Sequence, residues 1–86
     1  MKTIVICLFM DGDGKADVKS PHVAENELDA QDYVLDQIKS TIDNYPVDGE
    51  AEFLKNGNLA TDDDFNEAYI MLKDSTYFQW NIKRAI

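Results

Sequence analysis

The chemically capable residues of this 86-residue chain are overwhelmingly carboxylates: seventeen acids stand against eight bases, one histidine and one cysteine, for a net charge of −9. The run Asp11-Gly12-Asp13-Gly14-Lys15-Ala16-Asp17 invites a calcium reading. A calcium loop needs oxygen ligands at alternating positions, a glycine at its sharp turn and a distal bidentate carboxylate. Setting Gly14 as the turn glycine puts Phe9 and Ser20 at the two end positions, where ligands are essential. The run therefore reads as a hairpin turn, since Asp-Gly pairs favour tight turns with positive φ. With one cysteine there is no internal disulfide framework and no cysteine-based zinc site. Cys7 sits in an apolar run and reads as a small buried hydrophobe. His22, beside Pro21 and with no second histidine, reads as structural or solvated. Ser20, His22 and an aspartate supply the residue types of a hydrolytic triad, but adjacency in sequence is not triad geometry. No phosphate-cradling glycine loop, metal-ligand cluster or nucleophile elbow is visible. The chain reads as a non-catalytic protein with no metal and no cofactor.

The carboxylates are unevenly distributed. Residues 25–52 hold nine acids against Lys39 alone, whereas residues 1–24 balance to zero and residues 53–86 carry −1. The acidic stretch begins with a pattern that predicts an amphipathic helix from about Glu25 to Tyr45. At about 100° per residue, Glu25, Asp29, Asp32, Asp36 and Asp43 fall within a sector roughly 60° wide. Val34, Leu35, Ile38, Ile42 and Tyr45 fall on a separate core-facing stripe. Asn26 is a suitable N-cap, and Glu27 and Asp29 suit the positive end of the helix dipole. Pro46 ends the helix near Asn44. The dipole does not account for Asp36 or Asp43. Like-charge neighbours at helix spacing, such as Asp32 with Asp36, cost about 0.2–0.5 kcal/mol each. A solvated face tolerates that cost, and a binding edge for a basic partner uses it.

Other elements must position this helix. Lys2–Met10 is a short, nearly continuous apolar run and predicts a central strand buried on both faces. Lys15–Val23 predicts a weak return strand, with Pro21 marking an edge or an irregularity. Asp48 is placed to cap a short helix over Gly49–Lys55, ended by Asn56-Gly57, although the same Asn-Gly pair also suits a hairpin. Thr61 followed by Asp62-Asp63-Asp64 matches a helix start and predicts a helix from Asp62 to about Asp74. On that helix Phe65, Ala68, Tyr69 and Leu72 share one face, Asp63, Glu67 and Asp74 another, with Ile70 and Met71 flanking the acids. Ser75–Ile86 alternates as a half-buried final strand with Phe78, Trp80 and Ile82 inward. The predicted fold is a single α+β domain over residues 1–86, ordered β-β-α-α-α-β, with a small antiparallel sheet of about three strands and helices packed on one face.

Size, acidity and the lack of catalytic residues resemble the small acidic inhibitors of phages and mobile elements, among them anti-restriction and anti-CRISPR proteins. That resemblance implies an inhibitor that mimics nucleic acid and binds a protein with a basic, nucleic-acid-binding surface. The contact set on this reading is Glu25, Asp29, Asp32, Asp36, Asp43, Asp48, Glu50, Glu52, Asp63 and Glu67. The alternative is a structural or assembly module, such as a homodimer, whose acids confer solubility. Direct binding to nucleic acid or to an anionic membrane is disfavoured by the sign of the charge. No apolar run reaches the length of a membrane span, and Thr3–Met10 lacks a cleavage site, so the expected location is the cytoplasm.

Overall fold

The computed structural model describes residues 2–84. The chain runs β1 (Thr3–Met10), β2 (Ala16–Val18), β3 (His22–Ala24), α1 (Glu27–Asn44), β4 (Glu52–Lys55), β5 (Asn58–Leu59), β6 (Glu67–Met71) and β7 (Tyr77–Arg84). All seven strands join one antiparallel sheet in the order β2-β1-β7-β6-β4-β5, with β3 pairing a second stretch of β1. The expected three-stranded sheet with three helices is therefore wrong. Among the described residues one helix serves a seven-stranded sheet, in the order β-β-β-α-β-β-β-β.

The β1–β2 turn forms where the Asp-Gly pairs stand. The Asp11 Oδ1 accepts from the backbone N–H groups of Asp13 and Lys15, both at 3.0 Å, which closes the turn. The return strand is broken. Val18 pairs with Leu8 and His22 with Val5, so the return strand carries one residue more than β1 between these pairs. Pro21 lies in this bulge, where its missing N–H costs no ladder bond.

Helix α1 forms as its caps dictate. Asn26 accepts from the Asp29 N–H at 2.9 Å, and the helix ends at Tyr45, which is extended ahead of Pro46. Its buried side is Ala30, Gln31, Val34, Ile38 and Thr41. Ile42 and Tyr45, expected in the core, are exposed. This side packs on the sheet face built by Val5, Phe78, Trp80, Ile82, Ala68 and Ile70.

Two predicted helices are strands. Over residues 49–55 the Asn-Gly hairpin wins: Asn56 and Gly57 both take positive φ (51° and 85°), the geometry of a two-residue hairpin that matches sheet twist. Over residues 62–74 the helix start is a turn instead, in which the Asp64 N–H reaches Thr61 O at 3.3 Å and the Asp63 N–H reaches Thr61 Oγ1 at 3.4 Å. A threonine hydroxyl serves a turn as readily as a cap. Beyond it Ala68, Ile70 and Leu72 are buried, and Glu67, Tyr69 and Met71 lie on the other side. The last strand is central: β7 lies between β1 and β6.

Candidate functional site

The sheet has two unlike faces. Helix α1 covers one. Opposite it, direct cross-strand partners set a second face of Ile4, Ile6, Leu8 and Met10 on β1 and Tyr77, Gln79, Asn81 and Lys83 on β7. Glu67, Tyr69 and Met71 on β6 continue it, and Glu52 and Leu54 on β4 extend it further. The two-sided burial expected of β1 is thus half realised, since Ile4, Ile6, Leu8 and Met10 are only partly buried.

The ten proposed contact carboxylates divide between these faces. Asp29, Asp32, Asp36 and Asp43 are exposed on α1, on the side away from the sheet. Glu25 precedes the N-cap, outside the helix, and pairs with Lys2 at 3.6 Å. Asp48 and Glu50 are exposed in the segment after α1, where the Asp48 N–H donates to Met71 O at 2.9 Å. Asp63 is exposed in the turn that precedes Phe65. That turn abuts the helix, because Gln31 Nε2 donates to Phe65 O at 2.9 Å and lies 3.3 Å from Asp64 Oδ1. Glu52 and Glu67 stand on the opposite sheet face and cannot join the helical set. Glu52 there accepts from the Tyr69 hydroxyl, which holds the phenol above its ordinary range.

Lys55 ties the helix-side acids together. Its Nζ lies 2.9 Å from Glu27 Oε1 and 3.1 Å from Asp64 Oδ1. The hydrogen bond to Glu27, then that to Asp64, raises its pKa above the ordinary lysine range. A raised lysine pKa stabilises the fold at neutral pH, and that stabilisation is lost as pH rises through the folded-state value. Lys55→Met is expected to cost about 0.5–1 kcal/mol at pH 7, because the pair is partly solvated. In urea titrations the gap from wild type should close at strongly alkaline pH. A gap that persists there would assign the loss to packing.

Sequence reasoning did not find the cleft of about 440 Å³ between α1 and the sheet, which includes Cys7, Lys19, Thr41, Tyr45 and Phe78 in its wall. Lys19 sits 5.3 Å from the Phe78 ring centroid, a cation–π contact. Burial pushes the Cys7 thiol up, and nearby Lys19 only partly opposes this, so Cys7 is a poor nucleophile at neutral pH. His22 stacks on Tyr33 with ring centroids 3.7 Å apart and planes 3° apart. The described residues bring together no group of three His, Cys, Asp or Glu side chains able to hold a metal, and no helix among them is long and apolar enough to cross a membrane.

No family model, curated protein or solved structure gives a significant match to this chain.

Proposed function

We propose that this is a non-catalytic cytoplasmic binding protein that presents the acidic outer side of α1 to a basic, nucleic-acid-binding surface on a partner protein, in the manner of small acidic inhibitors. One observation carries this. Among the described residues the ion pairs use Glu25, Glu27 and Asp64, and none uses Asp29, Asp32, Asp36 or Asp43. Asp29 suits the positive end of the helix dipole, but Asp32, Asp36 and Asp43 lie beyond the first turn, and all four are exposed to solvent with like charges at helical spacing. Asp29 to Asp43 spans about 21 Å at about 1.5 Å per residue. Four charges over that length are sparser than the phosphates of one DNA strand, spaced about 3.4 Å apart along the axis. The turn acids at Asp62–Asp64 supplement them near the first half of α1. The result favours fast, salt-sensitive association with arginine- and lysine-rich surfaces over a faithful copy of a duplex.

The test is capture of partners from a bacterial lysate on immobilised protein, with wild type beside Asp32→Lys/Asp36→Lys. Recovery of a basic nucleic-acid-binding protein, released by salt and competed by DNA, is expected. The double variant should lower its affinity by more than about tenfold and leave the fold intact, since it removes like-charge neighbours. Undiminished binding by the variant would refute the proposal.

A second reading, a non-catalytic assembly module, is favoured by a separate observation: the apolar residues that β1 and its partners β2 and β3 set on the sheet face opposite the helix.

A further inference from the structure

We propose that the open sheet face is a self-association surface, on which two copies of this chain pack face to face with their acidic helices outward. The proposal deepens the assembly reading and is independent of the acidic-helix reading, because the two surfaces lie on opposite sides of the sheet.

The pattern of β1 is the first argument. A strand with one face in water alternates apolar and polar residues, and β7 does so, turning Gln79, Asn81 and Lys83 to the open side. Neighbouring β1 does not: Ile4, Ile6, Leu8 and Met10 all occupy that side. Flanking them are Val18, opposite Leu8 and 60% exposed, and Val23, opposite Ile4 and 56% exposed. A contiguous apolar patch of this kind on a soluble surface marks an interaction site.

Area is the second. Six strand positions span about 24 Å at about 4.8 Å spacing, and the longest strands run about 24–27 Å. Allowing for the shorter β4–β6, roughly 500–600 Å² per copy is available, so a pair buries roughly 1,000–1,200 Å², the lower bound for a specific interface.

Charge selects the occupant. The open face carries Lys83, Glu67 and Glu52, and the Glu52 carboxylate is already engaged by Tyr69. It has no charged patch with which to recruit a basic or acidic partner. Two copies of net charge −9 meet with least repulsion through this face. Stacked sheets lie about 10 Å apart and a helix adds about 10 Å on each outer side, which puts the acidic stripes at least about 30 Å apart. That is nearly four Debye lengths at physiological salt, at about 8 Å each. Edge-to-edge pairing is blocked instead, by the bulge at Pro21 on one edge and by the two-residue β5 on the other.

Sedimentation of the full chain across a dilution series, at low and high salt, tests this. The expected result is a dimer that salt does not weaken. Val18→Lys/Val23→Lys replaces only exposed side chains and should raise the dimer dissociation constant by about a hundredfold or more, because charges are buried against apolar surface. Far-ultraviolet dichroism and urea titration check that this variant folds, with Val18→Lys alone as the milder version. Asp32→Lys/Asp36→Lys should dimerise like wild type, which separates this surface from the helix. A wild-type monomer at all concentrations would overturn the proposal. So would a dimer that survives Val18→Lys/Val23→Lys or dissolves in Asp32→Lys/Asp36→Lys.

Discussion

Ile70→Lys is expected to abolish cooperative folding, while Met71→Lys, one residue away on the open face, leaves the stability of the monomer within about 0.5 kcal/mol of wild type at concentrations too low for dimerisation. Ile70 is 0% exposed and lies directly opposite Phe78 in the layer under α1. An ammonium there has no partner, and an uncompensated buried charge costs several kcal/mol. A domain of this size has only about 4–13 kcal/mol in total, at about 0.05–0.15 kcal/mol per residue. Met71 is 41% exposed and points to the open face. The contrast reads out the two-residue period of β6. On the helix expected over Asp62–Asp74, Ile70 and Met71 both flank the acids and both lysines would be tolerated. Thermal and urea unfolding of the pair distinguishes the two structures, and a well-folded Ile70→Lys protein would refute the strand.

Phe65→Ala should cost about 3–5 kcal/mol, read from the urea midpoint. Phe65 belongs to no strand, yet it is fully buried. Its ring packs on Phe53 at 4.8 Å between centroids, and its carbonyl accepts from Gln31 Nε2. It is the plug that fastens the 61–66 loop to both sheet and helix. Truncation leaves a cavity bounded by secondary structure that cannot collapse, which places the cost at the upper end for large-to-small changes. A loss under about 1 kcal/mol would mean that the loop is not locked to the core.

Elements whose evidence is local were legible in the residues alone. Asn26, the first-turn acids and Pro46 delimit α1 within a residue or two, because capping and termination act over one helical turn. The Asp-Gly turn and the alternation of Phe78, Trp80 and Ile82 were legible for the same reason. The stretch from residue 49 to 74 was not. Ala68 and Leu72 satisfy a helical period with Phe65, and a strand period with Ile70, so the pattern does not choose. Pairing with Trp80 and Phe78 on β7, and with Phe53 on β4, makes the choice. A short strand gains its stability from neighbours distant in sequence, and its own composition states this weakly.

The candidate contact residues divide along the same line. The common side of Asp29, Asp32, Asp36 and Asp43 follows from one helix and its period, so spacing alone suffices to group them. The sides of Glu52 and Glu67 depend on strand register, in which a shift of one residue moves every side chain to the other face. Composition and spacing by themselves determined an acidic helix, a strongly apolar first strand and the absence of recognisable catalytic motifs. Only the tertiary structure decided that β7 is central, that Glu52 and Glu67 stand apart from the helical acids, and that half of β1's apolar residues face outward. The physical reason is range: caps, turns and helix period act within a few residues, whereas a sheet face is defined by hydrogen-bond partners up to 81 positions apart, as between Thr3 and Arg84.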